Sequence, residues 1–549
     1  MSRKSLLVLF STLALGAFLR FSLITEIPLG LFPDEAVNGN NAAEALATKT
    51  FKIFYPENNG REGLFINMQA LSVRFFGNQP WALRVVSALF GTLTILALFL
   101  LTKEIFSSGQ AAAIGLLSSF FLATSYWHLN FSRIGFRAIL VPFFAVFAMY
   151  FLLKGLRRGS APDMLLAGIF AGLGFYTYIA FRFMVFVFAV PVVWHLKNRY
   201  KSRNAALHAT PYTLHANPCI PCLAALFIFI TFVVALPIGF YFLQHPQDFF
   251  GRGGQVSIFS SDRSTLFEFG RSNLAAVAML FVRGDCNPRH NFACQPELHP
   301  LVALFFLIGI IITIRNLFEN RKLPAENCTL IVWLVAMSLP ATLTREGLPH
   351  ALRSIGMIPP VMILSGLGAW TSLSYILNWF ESQKSKWPQY IEQLGRIQKE
   401  ATILFALILL LIPLKTYRDY FIRWAESPDA YRAFATDVLH IGQYLNGLPA
   451  ETRKYVITQI EWPRLREVGT PAQTVMFATN TFRDESRREK QFEYLTRDQI
   501  QNISALSENQ KTVIALFNGD NREFIKNLQK KFPELHIKVP GDFVILETP

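Results

Sequence analysis

The sequence predicts a polytopic α-helical membrane protein that ends in a small soluble α/β domain. Of its 549 residues, 52% are apolar and only 16% are charged, whereas soluble proteins carry about 25% charged residues. The apolar residues are gathered into repeated runs long enough to cross a bilayer. After Thr416 the chain turns polar and alternates helical with strand patterns. We therefore expect a membrane domain over residues 1–416 and a soluble domain over residues 417–549.

The net charge of +15 belongs to the membrane domain alone. Residues 1–416 contain 34 Lys and Arg against 19 Asp and Glu, whereas residues 417–549 contain 18 of each kind. A basic membrane domain suits anionic lipid head groups and the positive bias of inner loops. This distribution favours membrane lipid as a partner and argues against nucleic acid.

The first apolar run, Ser5–Thr25, follows a basic start and spans about 30 Å as a helix. We interpret it as a membrane anchor and not as a cleaved signal peptide, because no small-residue cleavage site follows and further apolar runs come after it. Ten more runs lie at 83–102, 111–127, 138–153, 164–181, 183–196, 220–243, 300–318, 328–344, 355–380 and 401–414. Together they predict about eleven transmembrane helices, two of which (183–196 and 401–414) are short.

The lysines predict the orientation of these helices. If the N-terminus is cytoplasmic, only Lys49 and Lys52 of the twelve lysines in residues 1–416 lie clearly in outer loops, as the positive-inside rule requires. We therefore expect an inner or plasma membrane protein with an extracytoplasmic C-terminal domain, provided that residues 401–414 cross the membrane. The outer loops carry arginine instead, whose planar guanidinium suits paired hydrogen bonds to phosphate or carboxylate.

Two outer segments, 26–80 and 244–299, are long enough to form the walls of a site at the membrane surface. Within them Ala36–Thr48 and Thr265–Val282 predict amphipathic helices. The C-terminal domain carries patterns for helices at 429–446, 497–506 and 521–531 and for strands at 455–459, 474–478, 512–517 and 543–547. It has no glycine-rich phosphate loop, so we assign it no chemistry.

Adjacent carboxylates, Asp34 and Glu35, open the first outer loop a few residues beyond the first span. Pro33, Asp34 and Glu35 suit the start of a helix, where a proline and negative charges are favourable. A carboxylate at the membrane surface can also act as a general base toward a hydroxyl group that lies within hydrogen-bond reach. Both interpretations remain open from the sequence.

Other polar residues fall at the outer ends of the predicted spans. Arg61 and Glu62 lie between glycines in the first outer loop, where a solvated pair or a phosphate or sugar contact would fit. Tyr178 with Arg182, and His350 with Arg353, lie at span ends, where arginine can also snorkel to the interface without a function. The segment from Gly284 to Asn291 is a dense polar cluster for which a loop ordered by Asn and Pro is the simpler interpretation.

The five cysteines do not make a disulfide scaffold. Cys286 and Cys294 share one polar segment and would form a bridge if that segment faces an oxidising compartment. His208, His215, Cys219 and Cys222 form a weaker cluster, but its spacing matches no strong zinc pattern. We therefore predict no metal-ligating residues there.

Several of these motifs together resemble the membrane-embedded C-type (GT-C) glycosyltransferases related to protein O-mannosyltransferases and aminoarabinose lipid A transferases. The resemblance covers most of residues 1–416. It is carried by Leu19-Arg-Phe21, Gly30-Leu-Phe-Pro-Asp-Glu-Ala36, Gly60-Arg-Glu62, Arg133-Ile-Gly-Phe-Arg137, Tyr176-Thr-Tyr178, Asn287-Pro-Arg-His-Asn291 and Pro349-His-Ala-Leu-Arg353.

The resemblance implies a GT-C fold and an outward-facing site that uses a sugar on a polyprenyl phosphate as donor. In that family an acidic residue of the first outer loop is catalytic, which implies Asp34 as the catalytic carboxylate, with Glu35 beside it in the motif. The acceptor would be a glycan, a lipid or a protein. The residues require no cofactor, although some families of this architecture use a divalent metal, for which Asp34, Glu35 and Glu62 could supply oxygen ligands.

The residue types fit a single displacement that inverts the configuration at the anomeric carbon of the donor sugar. Phosphate is a good leaving group that needs cationic stabilisation more than protonation, so one base and several arginines suffice. Asp34 would take the proton of the acceptor hydroxyl. The candidates for binding the substrate or its phosphate are Arg61, Glu62, Arg137, Tyr178, Arg182, His350 and Arg353.

Two other functions would use the same lipid. A transporter or flippase of lipid-linked sugars predicts ionisable residues deep within spans and paired half-repeats; the sequence has few such charges and no repeat. A lipid-binding scaffold predicts that no single carboxylate matters.

Overall fold

The computed structural model describes residues 2–549 except 107–108, 207–218, 261–263, 320–324, 346, 459–463, 467, 502–505, 507–509 and 518–520. The described residues form two compact units. One contains residues 1–22, 87–133 and 137–420, and the other contains residues 23–86, 134–136 and 421–549. The sequence assigned the first outer loop to the membrane domain, whereas the structure groups residues 23–86 with the C-terminal residues.

The chain is mainly helical. Its helices are α1 (Arg3–Phe21), α2 (Pro33–Thr48), α3 (Gly63–Phe76), α4 (Pro80–Ile105), α5 (Ala111–Thr124), α6 (Tyr126–Phe131), α7 (Leu140–Arg158), α8 (Ala161–Gly174), α9 (Met184–Ala206), α10 (Ile220–Gln244), α11 (Pro246–Val256), α12 (Thr265–Phe281), α13 (Pro300–Glu319), α14 (Ala325–Thr342), α15 (Ile358–Lys386), α16 (Ile391–Tyr417), α17 (Pro428–Ala433), α18 (Thr436–Asn446), α19 (Ala472–Thr479), α20 (Asp484–Glu489), α21 (Arg497–Gln501) and α22 (Arg522–Lys531). Short 3₁₀ turns and one π-helical turn, Arg418–Trp424, connect some of them.

Each of the eleven predicted apolar runs overlaps one of these helices. Among the described residues, nine helical segments are long and apolar enough to cross a membrane, and α5 and α8 are shorter apolar helices. A helix satisfies its own backbone hydrogen bonds, which a span in hydrocarbon requires. The prediction of a multi-pass helical membrane protein is therefore confirmed.

Glycines allow close helix packing within the membrane unit. A Cβ atom at Gly309 of α13 would collide with the carbonyl oxygen of Leu364, and one at Gly368 of α15 with the carbonyl oxygen of Phe305. Gly168 and Gly172 of α8 accommodate side chains of α10 in the same manner. Small residues are common at helix contacts in membranes because apolar surface alone gains nothing by leaving lipid.

The strands are β1 (Phe54–Tyr55), β2 (Arg61–Glu62), β3 (Arg453–Thr458), β4 (Arg464–Leu465), β5 (Val468–Gly469), β6 (Phe492–Thr496), β7 (Thr512–Leu516), β8 (His536–Lys538) and β9 (Ile545–Glu547). Two pairs, β1 with β2 and β4 with β5, are short antiparallel ribbons. The other five form one sheet in the order β6-β3-β7-β9-β8, with β3 parallel to both β6 and β7.

Alternation along the central strands gives this sheet two apolar faces. Val456 and Val513 belong to a core that includes side chains of α18 and α19. Their neighbours Tyr455 and Ile514 belong to a core on α22. The small α/β domain is therefore present as predicted.

Some predicted elements of the C-terminal domain differ in the structure. The strand predicted at 474–478 is wrong, because these residues lie in helix α19, whose Phe477 packs with Leu31 and Ala36. The helix predicted at 429–446 is divided into α17 and α18 by Ala435, which has a positive φ of 48°. The helix predicted at 497–506 begins as α21, but residues 502–505 lie outside the described part.

We predict that Gly368→Val lowers the stability of the membrane unit, because the new side chain meets the backbone of α13. Overpacking of this kind costs about 1–3 kcal/mol and would be measured as a lower midpoint of thermal unfolding in detergent. Gly239→Val in α10 is the matched control, since nothing lies within 4 Å of a Cβ atom there. Equal losses in both variants would contradict the close packing of α13 and α15.

Candidate active site

Asp34 and Glu35 lie in the first turn of α2. Pro33 is the first helical residue, and the backbone N–H of Phe32 donates to Glu35 Oε2 at 3.3 Å. The favourable placement of two carboxylates at a helix N-terminus agrees with the interpretation of this motif as a helix start. The two carboxylates nevertheless have different surroundings.

Glu35 is completely buried, and its oxygen atoms are occupied by protein groups. Arg84 Nε lies 3.1 Å from Oε1 and Arg84 Nη2 lies 3.2 Å from Oε2. The backbone N–H of Gly135 donates to Oε1 at 2.7 Å. Arg84 also donates to the carbonyl oxygens of Pro28 and Gly30 at 2.6 Å. Glu35 therefore holds together three chain segments and has no side-chain oxygen left for a substrate.

Asp34 is half-buried and lines a cavity of about 540 Å³. Its Oδ1 accepts a hydrogen bond from Asn58 Nδ2 at 2.9 Å. The cavity walls come from the first loop and from the C-terminal domain. They include Phe32, Asn58, Asn59, Tyr431, Arg432, Asp437, Thr470 and Phe517. Asp34 is thus a carboxylate that faces a space large enough for a small polar molecule.

Arg61 and Glu62 form β2 and are buried, with 2% and 4% of their surfaces exposed. Arg61 donates to Asn38 Oδ1 at 2.6 Å, to Asn41 Oδ1 at 2.5 Å and to the carbonyl oxygen of Glu57 at 3.3 Å. Neither residue lines the cavity beside Asp34. The geometry supports Arg61 as a brace for α2, while its predicted contact with phosphate has no direct support.

The C-terminal domain also holds this loop in place. Arg466 donates to both oxygens of Glu44 at 2.7 and 2.8 Å and to Glu57 at 2.8 Å. Burial alone would raise the pKa of Glu57, but hydrogen bonds from Asn41 and Arg466 bring that pKa below its usual value. Glu57 therefore stays charged and keeps the loop attached. The sequence assigned no role to this domain because its contribution comes from single side chains without a motif.

An apolar pocket of about 440 Å³ in the membrane unit contains three of the predicted site residues: Tyr178, Arg182 and Arg353. Arg353 Nη1 donates to Thr344 Oγ1 at 2.7 Å, and Arg182 Nη1 donates to the carbonyl oxygen of Phe249 at 3.1 Å. The remaining walls are mainly apolar, among them Phe183, Phe186, Phe250, Phe259, Leu339 and Leu343. Guanidinium groups beside an apolar space can hold a lipid that ends in an anion.

The last two predicted residues, Arg137 and His350, contact residues of this pocket but do not line it. The guanidinium carbon of Arg137 lies 5.3 Å from the centre of the Tyr178 ring. His350 Nδ1 lies 3.9 Å from Asp285 Oδ2 and accepts weakly from the backbone N–H of Arg353 at 3.5 Å. Sequence reasoning had noted Asp285 in a polar segment but gave it no function.

Four of the five cysteines form disulfides. Cys286 and Cys294 form a disulfide, and so do Cys219 and Cys222. The second bridge leaves no thiolate for a metal at that place, and His208 and His215 lie outside the described residues. The carboxylates of Asp34, Glu35 and Glu62 are not among the described side chains that converge as metal ligands.

Comparisons with known proteins support the resemblance seen in the sequence. The family model of dolichyl-phosphate-mannose-protein mannosyltransferase matches residues 64–235. No match was found among curated proteins.

Similar solved structures include two of ArnT and one of an oligosaccharyltransferase. ArnT from Cupriavidus metallidurans bound to undecaprenyl phosphate has a TM-score of 0.56 at 14% identity, over 100% of this chain and 98% of that chain. Its apo state has a TM-score of 0.51 at 14% identity, with the same coverage. An oligosaccharyltransferase from Archaeoglobus fulgidus has a TM-score of 0.48 at 14% identity, over 86% of this chain and 64% of that chain. The likeness to ArnT shows a shared fold, and the predicted GT-C resemblance is confirmed.

We predict that Arg84→Ala strongly destabilises the unit that contains Asp34, because Glu35 would remain buried without its cation. Removing one partner of a buried ion pair costs about 3–5 kcal/mol. The first measurement is the midpoint of thermal unfolding in detergent. The second is the rate of limited proteolysis within residues 23–86. Arg74→Ala on the exposed side of α3 is the control, and similar unfolding of both variants would contradict the assigned role.

Proposed function

We propose that this chain, which has the GT-C fold, is a glycosyltransferase that moves a sugar from a polyprenyl phosphate to an acceptor hydroxyl group. The observation that carries the proposal is the position of Asp34, a carboxylate that faces a cavity while its neighbour Glu35 is fully engaged by the protein. The acceptor would be a glycan, a lipid or a protein.

Asp34 is the proposed general base. A base must reach the proton that it removes at about 2.6–3.2 Å, and the cavity gives an acceptor hydroxyl access to the carboxylate. Asn58 holds one carboxylate oxygen through the bond to Oδ1, which orients the other oxygen. Glu35 is a positioning residue in this proposal, because it fixes the first turn of α2 through Arg84 and Gly135.

The donor lipid is assigned to the apolar pocket of the membrane unit. Its aromatic and aliphatic walls suit a prenyl chain, and Arg182 and Arg353 suit the phosphate at the end of that chain. Undecaprenyl phosphate is bound to the ArnT protein in the structure that shares this fold. Tyr178 also lines this pocket, and Arg137 contacts its ring from outside the pocket.

The reaction is a single displacement with inversion at the anomeric carbon. The acceptor oxygen gives its proton to Asp34 and forms the new bond to that carbon, while the bond from the carbon to the phosphate oxygen breaks. The electron pair leaves with the lipid phosphate, and guanidinium groups stabilise the negative charge that develops there. No second acid is needed, because the phosphate leaves without being protonated.

The proposed location is the inner or plasma membrane, with the N-terminus in the cytoplasm and the reaction on the outer face. The distribution of lysine supports this orientation.

We predict that Asp34→Asn abolishes sugar transfer while the protein stays folded, because the amide cannot accept the proton. The assay is transfer of radiolabelled sugar from a supplied polyprenyl-phosphate sugar in proteoliposomes, and we expect a loss of about 100-fold or more. Glu26→Gln, an exposed carboxylate of the same loop, should retain activity. Near-normal turnover by Asp34→Asn would refute the proposal that Asp34 is the general base. Movement of the lipid-linked sugar across the bilayer without sugar transfer would favour a flippase function.

We predict that Arg353→Ala mainly raises the KM for the lipid donor, because it removes a cation from the pocket that holds the phosphate. A lost charge-assisted hydrogen bond is worth about 1.5–3 kcal/mol, or roughly 10- to 100-fold in kcat/KM. The exposed Arg283→Ala is the control, since it does not line the pocket. An unchanged KM for the donor in Arg353→Ala would contradict the assignment of the lipid phosphate to this pocket.

A further inference from the structure

Three side chains from two separate segments of the membrane unit converge outside the transmembrane helices. Asp285 and His290 lie in the segment between α12 and α13, and His350 lies in the turn before α15. One ligand atom from each residue lies within 4.8 Å of the other two. Asp285 and His290 are each 4% exposed, and His350 is half-buried.

The distances fit the size of a transition-metal site. Asp285 Oδ2 lies 2.8 Å from His290 Nδ1 and 3.9 Å from His350 Nδ1. Ligands of a tetrahedral zinc ion at about 2.0 Å are about 3.3 Å from one another, which lies between these two distances. Two imidazoles and one carboxylate form a ligand set that suits Zn²⁺ better than Mg²⁺ or Ca²⁺.

The negative charge of the buried Asp285 carboxylate favours a cation at this place. Asp285 is a buried carboxylate, and among the described residues no Lys or Arg lies within ion-pair distance of it. It accepts from the backbone N–H groups of Asn287 at 2.8 Å and Ala351 at 2.9 Å. Buried charges in proteins are normally paired with an opposite charge or bound to a metal.

The surrounding structure fixes the three ligands in place. The disulfide between Cys286 and Cys294 closes a loop that contains His290, and Asp285 directly precedes its first cysteine. Asn130 Nδ2 donates to the carbonyl oxygens of Arg289 and His290 at 2.7 and 2.9 Å. Trp127 Nε1 donates to the carbonyl oxygen of Ala351, beside His350, at 3.1 Å. Such hydrogen-bonded support of ligands is typical of metal sites.

We propose that Asp285, His290 and His350 bind one zinc-like divalent transition-metal ion. Three protein ligands leave a fourth position for a water or another oxygen ligand. Because His350 lies three residues before Arg353, the ion would join the loop 284–299 to the turn that carries this arginine. The binding site itself does not depend on the proposed glycosyl transfer.

The test is metal binding by the full-length protein purified in detergent. After chelator treatment and reconstitution with Zn²⁺, the wild type should retain one ion per chain by elemental analysis. Asp285→Asn and His350→Ala should bind at least about 100-fold more weakly. His299→Ala changes a histidine of the same outer segment that is not part of the cluster, so it should bind as the wild type does.

Two further measurements separate a metal site from a hydrogen-bonded triad. His350→Cys should retain Zn²⁺, because thiolate is also a zinc ligand, and Co²⁺ in the wild type should give the visible absorption of a tetrahedral site. Size-exclusion profiles report whether each variant is folded. Failure of the folded wild type to bind Zn²⁺, or equal binding by all variants, would overturn the proposal whether or not the protein transfers sugar.

Discussion

The ion pair between Glu35 and Arg84 is the constraint on which the candidate site depends. It is fully buried, and a buried pair is favourable only when its remaining hydrogen-bonding groups are satisfied. The carbonyl oxygens of Pro28 and Gly30 and the N–H of Gly135 meet this requirement. The pair therefore fixes the entry to α2, and consecutive helical residues point in different directions, so that Asp34 faces the cavity when Glu35 faces inward.

The membrane helices could be predicted because a span in lipid has one solution for its backbone, a helix of apolar residues. The elements of the C-terminal domain are harder to predict, since a short apolar run fits either a strand or a buried helix. Residues 474–478 are such a run, and contact of Phe477 with Leu31 and Ala36 of the first loop favours the helix. That contact joins parts of the chain more than 400 residues apart, which no local pattern reports.

In the candidate site, too, local sequence patterns do not report contacts between residues that are far apart in the chain. The motif predicted that two carboxylates begin a helix, but it could not tell them apart, because the difference is made by Arg84, 49 residues further along the chain. The sequence singled out Arg182 and Arg353 as candidates, but it could not predict the apolar walls of the pocket that they line, since Phe259 and Leu343 have no spacing that distinguishes them from other apolar residues. Asp285 and His350 were each noted, but their proximity depends on tertiary folding.

The arginines in and beside the outer segments have two physical roles that the sequence could not separate. Arg84 and Arg133 are almost completely buried and donate to backbone carbonyl oxygens, Arg133 to those of Leu19 and Arg20 at 3.0 and 2.8 Å. Carbonyl groups at helix ends have no partner in the helix, and a guanidinium can satisfy several of them at once because it carries five donors in a plane. Arg182 and Arg353 differ from these arginines because they line an apolar cavity. Part of the net charge of +15 thus stabilises the fold, whereas Arg182 and Arg353 border a cavity that could hold an anionic lipid.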